Sequence, residues 1–156
     1  MNEIESVWDY PRPPRIETNG ESIRGLHAGV IFLETNQSLR ILETSHPPAY
    51  YLPRDAFINC ELRETNGTSF CEFKGAATYY DLVIGDVVVP RFGWQYPNPT
   101  KNFTSISETI SFYPGLVDQV LVNDEKVLPQ EGNFYGGWIT SRVKGPFKGA
   151  PGTLGW

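Results

Sequence analysis

The stretch CELRETNGTSFCEFK, residues 60–74, places alternating apolar and polar side chains on both sides of an Asn-Gly pair. Alternation with a period of two is typical of a β-strand that has one buried face. Asn-Gly is a strong signal for a two-residue hairpin turn because both residues accept a positive φ. The stretch therefore predicts a hairpin that turns at Asn66-Gly67, with Thr65 opposite Thr68.

The predicted register divides the side chains of this hairpin between two faces. The face expected to be buried carries Cys60, Leu62, Cys71 and Phe73. The other carries Glu61, Arg63, Phe70, Glu72 and Lys74, and is either a solvated charged surface or the wall of a polar site. The two cysteines would be diagonal neighbours about 7 Å apart, beyond disulfide range, so two buried free thiols are expected.

The same signals recur along the chain and predict a mainly β, antiparallel, single-domain protein spanning residues 1–156, with a small barrel as one architecture. Turn pairs at Asn36-Gln37, Gly85-Asp86 and Asn123-Asp124 separate further alternating runs. The predicted strands cover residues 23–26, 30–35, 38–43, 50–52, 58–65, 68–74, 77–84, 87–91, 117–122 and 125–128. The one predicted helix is short, at residues 105–112, where Ser105 and Glu108 match a capping box.

Composition and charge exclude several classes of protein. The formal net charge is -5 and the basic residues are scattered, which argues against nucleic acid and an anionic membrane as partners. No apolar run of membrane-spanning length and no signal-like N-terminus occurs, so a cytoplasmic protein is expected. Two cysteines and two histidines at no ligand spacing predict no metal site. Residues 1–15 are expected to form an extended, proline-rich arm, either docked or free.

His46 lies in ETSHPPAYYLP, residues 43–53, on a corner that two prolines hold rigid. Three roles stay open for it: a structural hydrogen bond, ligand binding, or a catalytic pair with Ser45. Adjacent residues of an extended chain point apart, which disfavours the pair.

Other candidate site residues cluster in three segments that glycine and proline stiffen. CEFKGAATYYD, residues 71–81, is dense in functional groups, and Gly75 allows a bend or a close approach of another backbone. FYGGWIT, residues 134–140, offers aromatic rings for stacking or for the core. The loop of residues 145–156 would present one lysine to an anion, although no phosphate-loop motif occurs and no cofactor is predicted. The candidates for ligand binding are His46, Glu72, Lys74, Tyr79, Tyr113, Tyr135, Trp138 and Lys148.

Six segments, in order, resemble the family known as domain of unknown function 427: ESVWDYPRPPR, ETSHPPAYYLP, CEFKGAATYYD, SFYPG, FYGGWIT and GPFKGAPGTLGW. The resemblance covers nearly the whole chain. It implies a mainly antiparallel β-fold, similar in general shape to β-tent domains, in bacterial and some fungal proteins with no established reaction. Some labels call the family nucleotidyltransferase-like, but the Gly-Ser and Asp-x-Asp motifs of that chemistry are absent here.

Three functions follow as alternatives. The first is binding of a small molecule in an aromatic pocket that has a few polar groups. The second is an enzyme acting on a nucleotide or another phosphorylated metabolite, with Lys74 and Lys148 at the phosphate and Glu72 or His46 as base. The third is a protein-interaction module that uses the proline-rich arm. A homodimer would be one way to cover exposed sheet edges.

Overall fold

The computed structural model describes residues 4–71, 74–131, 136–149, 152–153 and 155–156, with the backbone alone at residues 67, 68, 70 and 71. A seven-stranded sheet contains, in spatial order, β2 (Arg15–Asn19), β5 (Ser38–Leu42), β6 (Ala49–Pro53), β10 (Thr109–Phe112), β9 (Val87–Gln95), β8 (Gly75–Ile84) and β7 (Glu61–Cys71). A four-stranded sheet contains β12 (Glu125–Lys126), β11 (Gln119–Val122), β3 (Ile23–His27) and β4 (Val30–Thr35). Two short pairs join β1 (Glu5–Ser6) to β15 (Val143–Lys144), and β13 (Leu128–Pro129) to β14 (Trp138–Ile139).

The predicted mainly β, antiparallel fold is confirmed. Every strand pair in the two larger sheets is antiparallel, and β1 with β15 is a parallel pair. Within the described residues the seven-stranded sheet is open, with β2 and β7 at its edges, so it is not the closed barrel that the sequence allowed. No helix in this described part is long and apolar enough to cross a membrane.

The main core lies where the four-stranded sheet packs on one face of the seven-stranded sheet. The four-stranded sheet contributes Ile23, Phe32, Leu33, Val120 and Val122, and the seven-stranded sheet contributes Tyr50, Leu52, Leu82, Phe92 and Phe112. Gly25 leaves room for the Phe32 ring, which a Cβ at that position would overlap. Burial of these large side chains is the dominant favourable term for the fold.

A second apolar cluster covers the opposite face of the seven-stranded sheet. Its buried members are Ile41, Tyr51, Ala77, Tyr79, Trp94, Tyr96, Phe103 and Ile106. Successive side chains of a strand point to opposite faces, so neighbouring Tyr50 and Tyr51 enter different clusters, and each is 1% exposed. Both faces of this sheet are therefore covered.

The predicted hairpin at Asn66-Gly67 is wrong. β7 runs through both residues and pairs with β8 from Glu61 opposite Val83 to Cys71 opposite Gly75. Cys71 is paired with Gly75, and Asn66-Gly67 instead falls in a bulge of the ladder, a common position for a glycine inside a strand. Pairing of β7 with β8 joins strands of 11 and 10 residues, so it forms a longer ladder than a hairpin turning at Asn66-Gly67 would.

The side-chain assignments that depended on that turn change with it. Leu62 pairs with Leu82 and packs against the main core, and Cys60 packs there too. Cys60 is a free thiol, as predicted, but is half-buried rather than buried. The Arg63 guanidinium donates to Glu61 Oε2 over 2.8 Å with both side chains exposed, which matches the solvated alternative. The side chains of Phe70 and Cys71, with Glu72 and Phe73, lie outside the described residues.

The predicted helix at residues 105–112 is also wrong. A 3-10 segment covers Lys101–Ile106, and β10 follows it between β6 and β9. Ile110, Ser111 and Phe112 are all fully buried, as expected for a central strand of a sheet that is covered on both faces. Pairing on both edges outweighs the local capping pattern.

The N-terminal arm is docked, and it is more structured than the sequence predicts. Val7–Asp9 form a 3-10 turn, and β2 begins at Arg15, where a strand was not predicted. Val7 and Tyr10 pack with Leu42 and Val143 in a third apolar cluster. The arm is thus joined to the C-terminal part of the chain by β1 and β15 as well as by this cluster.

Candidate functional site

The second cluster contains a row of side chains that crosses the seven-stranded sheet. Pairing places Leu39 beside Tyr51 and Trp94 beside both Ser111 and Tyr79. The Trp94 indole N–H donates to the Tyr51 hydroxyl over 3.2 Å. The row therefore puts three large aromatic rings on one face of the sheet.

Tyr113 completes this aromatic face, which we define as Tyr51, Tyr79, Trp94, Tyr96 and Tyr113. The rings of Trp94 and Tyr113 have centroids 4.7 Å apart. Tyr113 is half-buried, whereas the other four rings are 8% exposed or less. Tyr113 thus offers the accessible aromatic surface, and Trp94 and Tyr79 form the wall behind it.

Two bulges flank the strand segment that carries Tyr79. On the β7 side, Thr65, Asn66 and Gly67 lie opposite the single residue Tyr79. On the β9 side, Pro90, Arg91 and Phe92 lie opposite the single residue Asp81. Bulges bend the ladder and change the direction of side chains, and they are common beside functional sites.

Arg91 lies at the second bulge with φ 48°, in the left-handed region that few residues other than glycine adopt. Its main-chain N–H donates to Asp81 Oδ1 over 2.8 Å. Its guanidinium carbon lies 4.1 Å from the centroid of the Tyr79 ring, and the Tyr79 hydroxyl is 2.7 Å from Ser69 Oγ. An exposed cation therefore stands at the rim of the aromatic face.

Burial raises the pKa of Tyr113, and the neighbouring Tyr79 raises it further, while Arg91 lowers it. Tyr113 is therefore neutral at physiological pH and keeps its hydroxyl proton. Tyr79 and Arg91 are therefore close enough to Tyr113 to influence the ionisation of its hydroxyl group.

His46 lies on the turn between β5 and β6, the rigid corner predicted for it. Burial lowers the pKa of His46, and the charges of Lys148, Arg12 and Lys74 lower it further, to about 4. The ring is neutral at pH 7. Its Nε2 is 3.6 Å from Glu43 Oε2, a contact between a neutral ring and a carboxylate, and its Nδ1 is 3.5 Å from Gln130 Nε2.

Lys148 is held beside this corner by its backbone. Its N–H donates to the Ser45 carbonyl over 2.8 Å, and its carbonyl accepts from Gln130 Nε2 over 2.6 Å. The buried Gln130 also accepts from the Gly137 N–H, so one amide ties together two loops. The rigid support that the sequence predicts for Lys148 is thus present in these bonds.

Lys74 and Arg12 complete the set of cations near His46. The Lys74 Nζ lies 5.9 Å from the Tyr96 ring centroid, so the hairpin tip approaches the aromatic face. The Arg12 guanidinium donates to the Thr44 carbonyl over 2.9 Å and lies 3.6 Å from Glu43. Gly75, as predicted, lets another backbone approach, because a Cβ there would be 3.1 Å from the Asn98 oxygen.

The structure brings together five of the eight candidates. His46, Lys74 and Lys148 share one electrostatic environment, and Tyr79 with Tyr113 shares another on the aromatic face. Lys74 connects the His46 group with the aromatic face, because its Nζ lies over the Tyr96 ring. Glu72 and Tyr135 lie outside the described residues.

Trp138 belongs to a different part of the molecule. It is fully buried in the main core, where its ring stacks on Tyr50 with centroids 4.5 Å apart. Its indole N–H donates to the Phe112 carbonyl over 3.4 Å. Of the two alternatives for this residue, the structure places it in the core.

Sequence reasoning missed Trp94, Tyr96 and Arg91. The strand prediction ended at Arg91, whereas β9 continues to Gln95, so two aromatic residues of the site fell outside it. The alternation of Gly93, Trp94, Gln95 and Tyr96 was the signal that could have extended it. Nothing in the sequence signals the bulge at Arg91.

The largest buried ionic network lies apart from these residues, on the other face of the sheet. Arg40, with no exposed surface, donates to Glu5 and Glu17, and Arg142 donates to Glu5 and Glu21. Tyr10 donates to Glu5 and Tyr50 donates to Glu21. These hydrogen bonds join the arm to the sheet, which is a structural role, although the buried Arg40 Nε has no hydrogen-bond partner among the described residues.

An open groove of about 500 Å³ lies at the other end of the face that carries Tyr51. The side chains that line it are uncharged. They include Thr18, Asn36, Gln37, Leu39, Tyr51 and Thr109. None of the six candidates that the structure describes lines this groove.

Comparison with known proteins places the chain in one family. No curated protein matches it. A family model matches residues 15–123, most of the chain and all of the strands that carry the aromatic face. The chain belongs to the family described as domain of unknown function (DUF427).

Proposed function

We propose that this protein binds a small molecule whose flat ring lies against Tyr113. The observation that carries the proposal is the pair of Tyr113 and Trp94 rings at 4.7 Å, with Tyr79 behind and Tyr113 half-buried. Ligand sites are mostly apolar and aromatic, with a few convergent polar groups. Arg91, Lys74, Lys148 and the neutral His46 are such groups around this face.

The Tyr113 end of the face is favoured over the groove at its other end. Arg91 acts on Tyr113, and Lys74 contacts Tyr96 of the same aromatic face. The groove, in contrast, is lined by uncharged side chains. Polar groups with fixed positions give a site its orientation and selectivity. The main chain of Lys148 is held by its N–H bond to the Ser45 carbonyl and by the Gln130 side chain, which donates to its carbonyl.

A cytoplasmic location accompanies the proposal. It is supported by the free thiol of Cys60, since thiols persist in reducing compartments.

The test is a calorimetric titration of the protein with indole, benzimidazole and benzamide, repeated with Tyr113→Leu. Loss of a stacking partner weakens ring binding by about tenfold, which corresponds to about 1.4 kcal/mol. The matched control is Trp8→Leu, because Trp8 is an exposed aromatic residue that packs on Trp156 and is not one of the five rings of the aromatic face.

Two outcomes would contradict the proposal. If none of the three rings binds, there is no ring site of this kind. If a ring binds equally well to Tyr113→Leu, the binding site lies elsewhere. A Leu39→Gln variant that weakened the binding would then assign it to the groove.

A further inference from the structure

Arg91 differs from most arginines of this chain in its partners. Six of the eight arginines form ion pairs with glutamates: Arg12, Arg15, Arg24, Arg40, Arg63 and Arg142. Arg54 and Arg91 instead stack on tyrosines of β8. In the described part of the chain the Arg91 guanidinium has no carboxylate partner, and its one hydrogen bond is a long contact of 3.5 Å to the Asn66 carbonyl.

The backbone at Arg91 is held in an unfavourable conformation. A φ of 48° is costly for a residue with a long side chain, and such conformations persist where the surroundings impose them. Here the bond from the Arg91 N–H to Asp81 fixes the bulge. The fixed backbone and the Tyr79 ring together restrict the guanidinium before any ligand arrives.

We infer that Arg91 binds the carboxylate or phosphate group of a ligand whose ring lies against Tyr113. This inference rests on the proposed function and names the chemical class of the ligand, an aromatic or heteroaromatic anion. A guanidinium presents paired donors that match the oxygens of either group, and stacking on Tyr79 leaves the edge of its plane for such donors. Arg91 is then the residue that gives the site its preference for a negative charge.

The position of Arg91 fits that role. It lies beside Tyr79, which neighbours Trp94 in the sheet, and Trp94 contacts Tyr113. An anion on Arg91 and a ring on Tyr113 therefore belong to neighbouring parts of one surface. The carboxylate of Asp81, two residues after Tyr79 in β8, is engaged by the Arg91 main chain, because its Oδ1 accepts the Arg91 N–H.

The experiment compares ligands of similar shape that differ in charge: benzoate, phenyl phosphate and neutral benzamide. Affinities are measured by calorimetry for the wild-type protein and for Arg91→Asn, chosen because asparagine accepts a positive φ. The control is Arg54→Asn, which removes the other arginine that lies over a tyrosine of β8. That tyrosine, Tyr80, follows Tyr79 in the strand, so its side chain points to the opposite face of the sheet. Amide NMR spectra establish that each variant is folded.

We expect the wild type to bind one of the two anions at least about tenfold more tightly than benzamide. Arg91→Asn should bind all three probes with similar affinity, and Arg54→Asn should behave as the wild type. Arg91→Lys, which keeps the charge but loses the paired donors, should retain only part of the preference. Whether benzoate or phenyl phosphate binds more tightly identifies the anion, and inorganic phosphate tests whether the ring is required.

Failure of this inference can be distinguished from failure of the proposed function. If benzamide and the anions bind equally, and Tyr113→Leu weakens both, the ring site exists but Arg91 does not select the ligand. An anion preference that survives in Arg91→Asn also overturns the inference. If no probe binds, both the inference and the proposed function are wrong.

Discussion

The guanidinium of Arg40 donates to Glu5 Oε1 over 2.9 Å, although the two residues are 35 positions apart and Arg40 has no exposed surface. This bond joins the N-terminal arm to β5, the strand beside the edge strand β2 in the seven-stranded sheet. Arg40 also lies over the Tyr50 ring, its partner in β6. Glu5, a residue of the arm, therefore neutralises part of the positive charge of the buried Arg40.

The pairing of Glu5 predicts a loss of stability in acid. Burial alone would raise the pKa of Glu5, but hydrogen bonds from Arg40 and Tyr10 and the charges of Arg40 and Arg142 lower it from 4.5 to about 2. A lowered folded-state pKa stabilises the protein above pH 4.5, and the contribution is lost as the pH falls towards 2. At neutral pH it is at most about 3 kcal/mol.

Urea unfolding of the wild type and Glu5→Gln between pH 2 and 7 tests this prediction. The difference in free energy of unfolding should be largest above pH 5 and should shrink towards pH 2. Glu61→Gln is the control, since the exposed pair with Arg63 contributes less than about 1 kcal/mol. A difference that does not vary with pH would contradict the assignment to Glu5.

His46 should remain neutral until the solution is distinctly acidic. Its imidazole signals should titrate in NMR spectra with a midpoint of about pH 4, because burial and then Lys148, Arg12 and Lys74 lower its pKa. Lys148→Gln removes one of these charges and should move the midpoint upwards. Lys144→Gln, at an exposed position, should leave it unchanged. A midpoint near 6.5 in the wild type would show that His46 is not in this environment.

Gly136 should be intolerant of a side chain. A Cβ at this position would overlap the ring of Trp94. Gly136→Ala should therefore lower the free energy of unfolding by about 1–3 kcal/mol and alter the near-ultraviolet circular dichroism. Gly20→Ala is the matched control, because a Cβ there meets no atom within 4 Å. Equal stability of the two variants would mean that Gly136 is not packed closely against the Trp94 ring.

Trp138 should matter for stability rather than for binding. Trp138→Phe weakens the stack on Tyr50 and removes the donor to the Phe112 carbonyl, which should cost about 2 kcal/mol. Trp8→Phe also loses an indole hydrogen bond, to the Pro146 carbonyl, but at a position that is 42% exposed, so it should cost less, about 1 kcal/mol or below. Ring binding measured by calorimetry should be the same in both. If Trp138→Phe lost ring binding and Trp8→Phe did not, Trp138 would have to be assigned to the binding site.

Local patterns were sufficient for short strands joined by tight turns. The strand predicted at residues 30–35 is β4, and the turn at Asn123-Asp124 has both residues at positive φ. The site was predicted less completely. His46, Lys74 and Lys148 were found because prolines and glycines surround them, whereas Trp94 was missed because β9 continues past a bulge.

The sequence by itself determined the mainly antiparallel β class, the family, the rigid corner at His46 and the fixed loop at Lys148. The family follows from the resemblance of the six quoted segments. The β class depends on side-chain alternation, and the corner and the loop depend on restricted φ, which are properties of neighbouring residues. Only the tertiary structure decided that β7 passes through Asn66-Gly67, that residues 109–112 form a strand, and that Arg91 reaches Tyr79. Each of those features depends on strand register, and register is set by the summed pairing and burial of residues far apart in the chain.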